Sequence, residues 1–319
     1  IIPVAGEVTV QVVARNIFGE TSSMETSVTV LKDSVNVDGL VTQALQDVQE
    51  ALDTEDIISF LNAVSAVAGV SEEVKSTDRD QVMGKIAEFV YDKRNSSASS
   101  TVDSAYSQLL QSLTLFSGEG VELSNNSTES LLESVEGITS FGSSDTTRNV
   151  IKPLSNLFNA LARNNDTDGE REAWLIRSVD VVEQVATRIV EDKVPDENSE
   201  TLSSPGIEIS VSRTSSESVA SGVKLFDNKV ELPTTLIDDV FGAEEKPKSV
   251  DVSYSVISAT NAYQSAPLSG NLTKVNKNGL VLLDVMSEGQ KAEVSGLQKN
   301  ITFTLPLNMT KPANVTSSD

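Results

Sequence analysis

Residues 267–307 read PLSGNLTKVNKNGLVLLDVMSEGQKAEVSGLQKNITFTLPL, and apolar residues alternate at two places within them. Gly279-Leu280-Val281-Leu282-Leu283-Asp284-Val285-Met286 and Ile301-Thr302-Phe303-Thr304-Leu305 carry the period of two expected of half-buried strands, whose successive side chains point to opposite faces. Turn formers separate them at 276–279 and at Glu288-Gly289. Nothing in the stretch resembles a catalytic motif. Working upstream, the same alternation recurs in Ile207, Ile209 and Val211, in Val219, Val223 and Leu225, and in Val250, Val252, Tyr254 and Val256, with a turn at Asp227-Asn228. Strands at roughly 8 to 15 residues per repeat predict an antiparallel β-sandwich over residues 206–319.

Before that sandwich the period changes to about 3.6 residues. Leu40, Val41, Ala44, Leu45, Val48 and Leu52 form one apolar stripe; Thr54 is expected to cap a second helix through Ile57, Ile58, Leu61, Val64 and Val67, closed by Gly69. Ser71 or Thr77 starts a third helix, through Val82, Ile86, Phe89 and Val90, and a fourth carries Val102, Tyr106, Leu109, Leu110 and Leu113. Shorter helices are expected near Leu131–Val135 and Val150–Leu161, and the clearest runs from Glu170 to Val190 around Trp174, the only tryptophan. Residues 34–193 are thus read as an all-α subdomain and 194–205 as a polar, Pro-containing linker. At the other end, residues 7–31 alternate on either side of a turn at Asn16-Ile17-Phe18-Gly19 and predict a hairpin, which closes a unit over residues 1–33. Two strands alone are marginal in water, so the partner strands are expected before Ile1. The fold class expected is α+β multidomain: the end of an immunoglobulin-like sandwich, a helical subdomain, then an antiparallel sandwich.

Composition excludes several functions. A net charge of −23 disfavours nucleic acid and anionic membrane surfaces, both of which are bound through Lys and Arg. The chain has no His and no Cys, which removes Cys nucleophiles, His-based triads and Cys/His zinc sites. No run of apolar residues is long enough to span a bilayer. N-x-Ser/Thr sequons stand at Asn95, Asn125, Asn126, Asn165, Asn271, Asn300, Asn308 and Asn314, and favour an extracellular glycoprotein. The opening Ile1-Ile2-Pro3-Val4 has no initiator Met and no signal-like segment, so the chain is expected to be part of a longer protein.

Two patterns invite chemistry. Asn164-Asn165-Asp166-Thr167-Asp168-Gly169 matches the first half of an EF-hand loop, with Asn164, Asp166 and Asp168 as oxygen donors. Leu175 stands where the closing bidentate Glu belongs, so a polar loop that caps the next helix is the favoured reading. The pairs Glu72-Glu73, Asp238-Asp239 and Glu244-Glu245 are neighbours that point apart on any regular element, and read as solvated acids rather than an acid/base pair. No catalytic residue and no cofactor is assigned. The apolar stripes read as core rather than as grooves, and Trp174 as a core anchor rather than a stacking platform.

The phrases VTVQVVARNIFGETSS and TSVTVL, residues 8–23 and 26–31, resemble the closing strands of polycystic-kidney-disease repeats and receptor-for-egg-jelly modules. Asn278-Gly279, Leu297 and Ile301-Thr302-Phe303-Thr304-Leu305-Pro306 resemble the end of the GPCR-autoproteolysis-inducing (GAIN) domain in the stalks of polycystin-family membrane proteins, where a helical subdomain precedes a β-sandwich. The resemblance covers the order of parts along nearly the whole chain. It implies a non-enzymatic ectodomain segment on the extracellular side of the plasma or ciliary membrane, with adhesive repeats before it and a membrane region after it. Its partners would be a protein ligand or neighbouring domains of the same chain. The family's proteolysis site uses Cys and Trp landmarks and a His-Leu-Ser/Thr tripeptide; with no Cys, no His and no Trp after Trp174, no cleavage residue is carried over. The alternative is an acidic secreted or surface adhesin whose β modules bind protein or Ca²⁺; an acidic hydrolase ranks last.

Overall fold

A computed structural model describes residues 6–15, 21–30, 37–94, 100–118, 121–163, 169–242, 246–258, 275–276, 279–287 and 289–304. Strands β1 (Gly6–Arg15) and β2 (Thr21–Val30) pair antiparallel from Gly6↔Val30 to Arg15↔Thr21, the hairpin that the alternation predicts. Eight helices follow: α1 (Val37–Asp53), α2 (Ile57–Ala68), α3 (Ser76–Lys93), α4 (Ser100–Phe116), α5 (Asn125–Phe141), α6 (Ser144–Arg148), α7 (Ile151–Arg163) and α8 (Gly169–Glu191).

Their ends differ from expectation in physically readable ways. Asp56, not Thr54, caps α2: its Oδ1 accepts from the amides of Ile58 and Ser59, each at 3.1 Å. Thr54 instead ends the preceding helix, its hydroxyl donating to the Glu50 carbonyl at 2.8 Å. Helix α5 is much longer than the short segment expected at 131–135, because Ser124 caps it through the Ser127 amide at 3.0 Å and its first turn is polar but buried at Ser127 and Thr128. Ile58, counted in the α2 stripe, lies in solvent, while Phe60, Leu61, Val64 and Val67 make the buried face.

Beyond α8 come β3 (Glu200–Ser204), β4 (Ile207–Ser215), α9 (Ser216–Ser221), β5 (Val223–Leu225), β6 (Val230–Leu232), α10 (Leu236–Phe241), β7 (Ser249–Ile257), β8 (Val275–Asn276), β9 (Gly279–Ser287), β10 (Gln290–Lys291) and β11 (Thr302–Phe303). The stretch 194–205, read as a linker, therefore holds a strand, since β3 supplies backbone partners to β4 from Glu200↔Val211 to Ser204↔Ile207. Val219, expected in a strand, sits in α9, which Ser215 caps through the Ser218 amide.

Besides the β1–β2 hairpin, the strands among the described residues form two antiparallel sheets: a large one in the order β10-β9-β7-β4-β3, with β8 also on β9, and a small one in the order β11-β6-β5. Alternation splits the large sheet cleanly. Ile207, Ile209, Val211, Ile257, Leu280, Leu282 and Met286 join the core of the helices. Val250, Val252, Tyr254 and Val285 point the other way, into a second core with Leu225, Phe226, Val230, Leu232, Leu236 and Ile237. The large sheet is thus the middle layer, with the α1–α8 array on one face and the small sheet with α9 and α10 on the other. A long helical segment and a sheet buried on both faces are two ways of hiding apolar surface, and here one sheet serves both.

Candidate functional site: the junction of helices and sheet

The joint between the helices and the sheet is built around α8. One stripe of this helix, from Leu175 through Val182, Val185 and Ile189, is buried, and the helix touches α5, α6 and α7 as well as β4 and β7. Trp174 is 6 % exposed near its start, in the core as expected. Its indole N–H donates to Glu129 Oε2.

The middle strand of the sheet meets the helices with polar atoms. On β7, Asp251, Ser253 and Ser255 share the face of Ile257, which belongs to the helix-side core, and all three are buried. Small serine side chains here let a helix lie close to the sheet. Asp251, with its side chain only 4 % exposed, stands opposite Arg213 of β4, and the pair is bidentate: Nε to Oδ1 at 2.6 Å and Nη2 to Oδ2 at 2.9 Å. The remaining Arg213 nitrogen, Nη1, donates to the carbonyls of Lys193 at 3.0 Å and Glu191 at 3.4 Å. One guanidinium therefore ties a buried carboxylate in the sheet to the orphan carbonyls at the C-terminal end of α8. Asp251 raises the pKa of Arg213 further.

Two more clamps flank it. Arg148, at the end of α6, grips Glu200 of β3 with Nε to Oε1 at 2.6 Å and Nη2 to Oε2 at 3.2 Å, and Lys193 reaches the same carboxylate at 3.2 Å. The hydrogen bond from Arg148 holds the Glu200 carboxyl below the usual carboxylate range. On the other side Lys291 of β10 pairs with Glu183 of α8 and, at 3.3 Å, with Asp284 of β9. Burial pushes the Glu183 carboxyl up despite that pairing. Chemically, these groups fix the angle and register of α8 on the sheet, and each of these carboxylates is paired with a cation.

Of the residues singled out in the sequence, Asn164, Asp166 and Asp168 lie outside the described residues, as do Asn95, Asn165, Asn271, Asn308, Asn314 and the pair Glu244-Glu245. Among the described residues no three His, Cys, Asp or Glu are placed to hold a metal ion. Asn125 and Asn126 are exposed in the first turn of α5, where Asn125 Nδ2 donates to Glu170 Oε2 at 3.2 Å, and Asn300 is exposed after β10. Glu72 and Glu73 are solvated. Asp238 pairs with Lys246, and Asp239 Oδ2 accepts from the Gln298 amide at 3.0 Å, so this second acid pair is structural. Arg213, Asp251, Arg148 and Glu200 were not foreseen. The available signal was a charge at an inward register position of an apolar strand, Arg213 two residues after Val211 and Asp251 between Val250 and Val252.

Comparison with protein-family models and with curated proteins gives no match for this chain. Among the described residues no helix is long and apolar enough to cross a membrane.

Proposed function

We propose that this chain is a non-enzymatic extracellular stalk of a larger membrane protein of the polycystin type, which links adhesive repeats to the membrane region and carries load or ligand signals between them. The observation that supports it is the joint just described. A segment that transmits force needs its parts to move as one body, and here a single apolar core runs from α1 through α8 into β4, β7 and β9. Charged clamps at three places then make that joint directional, which apolar burial by itself cannot do. The sequons and the resemblance of residues 8–31 and 278–306 to stalk modules support the extracellular setting.

The test is cooperativity. Trp174 fluorescence reports the helices, and hydrogen exchange of the β7 amides reports the sheet; in a urea titration of the full chain both are expected to change at one midpoint. Midpoints that separate, with the helices melting while β7 stays protected, would overturn an integrated stalk. Secretion from a eukaryotic host with no N-glycan on any sequon would remove the extracellular setting.

A further inference from the structure

A surface groove of ≈ 640 Å³ runs between α3 and α5. The two helices approach closely there: a Cβ on Gly137 would lie 2.4 Å from Val90 Cγ1, so any larger residue requires Val90 to shift. Ala87 and Val90 are buried beneath it. Above them two aromatic side chains stand in solvent, Tyr91 at 60 % and Phe141 at 40 % exposure. Isolated exposed apolar residues are ordinary, but two aromatics on the rim of one groove, in a chain with 4 % aromatics, form an apolar patch with a concave floor.

Charge gives the groove a sign. Glu88, Glu133 and Glu136 line it, against one lining cation, Arg177. Glu88 is held by Lys85 at 2.6 Å and Glu136 by Arg177 at 2.7 Å, whereas Glu133 has no ion pair among the described residues. Burial, with Glu129 next, pushes the Glu133 carboxyl up, and nearby Arg177 offsets part of that. Tyr91 already accepts a cation on its ring, with Arg94 Cζ 3.6 Å from the centroid. Glu88 and Tyr91 of α3 and Glu133 and Phe141 of α5 recur at helical spacing, so the rim extends over about two turns.

We propose that this groove docks a basic, apolar-faced helical segment of a partner protein, whose Lys or Arg meets Glu133 and whose apolar side chains seat between Tyr91 and Phe141. The net charge of −23 works against the other occupants, a second copy of this chain or an anionic lipid surface, and favours a basic one. This surface lies apart from the joint with the sheet, and the proposal stands whether or not the chain is a stalk.

Trp174 supplies a built-in reporter, since its indole bonds Glu129, Glu129 pairs with Arg177, and Arg177 pairs with Glu136 in the groove. The experiment titrates the full chain with a Trp-free amphipathic Lys/Leu helical peptide and follows Trp174 fluorescence, with hydrogen exchange of α3 and α5 as the second readout. The expected result is saturable binding that protects both helices, weakened about tenfold or more by Tyr91→Ser with Phe141→Ser, and likewise by Glu133→Lys. All three positions are exposed, so circular dichroism should show an unchanged fold. Protection elsewhere than α3 and α5, or no binding at all, would overturn the proposal. So would equal binding by a shuffled peptide of the same composition, which reports net charge alone, or unchanged affinity in the variants.

Discussion

The two faces of the middle strand β7 are closed by different physics. Toward the helices, the middle strand presents Asp251, Ser253 and Ser255, and adhesion there combines flanking aliphatic residues with a guanidinium that joins a buried carboxylate to helix-end carbonyls. Toward the small sheet, the same strand presents Val250, Val252 and Tyr254 in one apolar core with Val230, Leu232 and Leu236, while the neighbouring strand β4 brings buried Ser210, Ser212 and Thr214 to that face and Glu208 pairs with Lys229. Apolar contact is strong but tolerates sliding; a bidentate pair tolerates none. The comparison teaches that strength and register can be assigned to opposite faces of one strand.

The largest effect expected from breaking this contrast is at the clamp. Arg213→Leu leaves Asp251 buried without a cation and should cost roughly 3–5 kcal/mol in urea unfolding, whereas Arg213→Leu with Asp251→Leu should recover much of that loss. On the apolar face Leu232→Ala should cost about 3 kcal/mol through the cavity it leaves, and no compensating second substitution of one partner is expected to restore it. Next come the two glycines of α3 and α5. Gly137→Ala should destabilise by about 1–2 kcal/mol because its methyl meets buried Val90, while Gly84→Ala, with nothing nearer than Ser130 Oγ at 3.9 Å, should gain about 0.5–1 kcal/mol from helix propensity. Tyr254→Phe removes a bond from the phenol to the Thr304 carbonyl at 3.3 Å and should cost about 0.5–1 kcal/mol in thermal unfolding.

The smallest effects are those of pH, since the groups concerned are partly solvated. Glu200 has a folded pKa below its ordinary 4.5, so its contribution is present above that pH and is lost as pH falls through the lowered value. Glu200→Gln should flatten the acid limb of the stability curve. Glu133 is shifted the other way, so its ionisation weakens the fold as pH rises from 4.5 through the raised value, and Glu133→Gln should be slightly more stable at neutral pH. Stability measured by denaturant titration from pH 3 to 8 checks both signs.

How much was legible varies with the range of the interaction that decides it. The α8 helix, the β4, β7 and β9 strands and the burial of Trp174 follow from periodicity alone, because a helix or strand in a folded protein must turn its apolar residues one way. The cap at Asp56 lies two residues beyond the expected Thr54, since Thr54 and Asp56 are both good caps and only the backbone, extended at Asp56 with φ −82° and ψ 92°, chooses. Strand β3 reads as linker in the sequence because an edge strand with the pattern Glu-Thr-Leu-Ser-Ser carries almost no apolar signal; β4 beside it makes it a strand.

By itself the amino-acid sequence determined the order of the parts, the buried faces of α8, β4, β7 and β9, an acidic composition, and the absence of His and Cys chemistry, all of which depend on composition or on neighbours within a turn or two along the chain. Only the tertiary structure decided that Arg213 meets Asp251, that Arg148 meets Glu200, and that Tyr91 and Phe141 rim one groove. Those pairings join residues 38 to 52 positions apart. Periodicity has no term for such distances: it tells which way a side chain points, and only the packing of helix on sheet tells what it finds there.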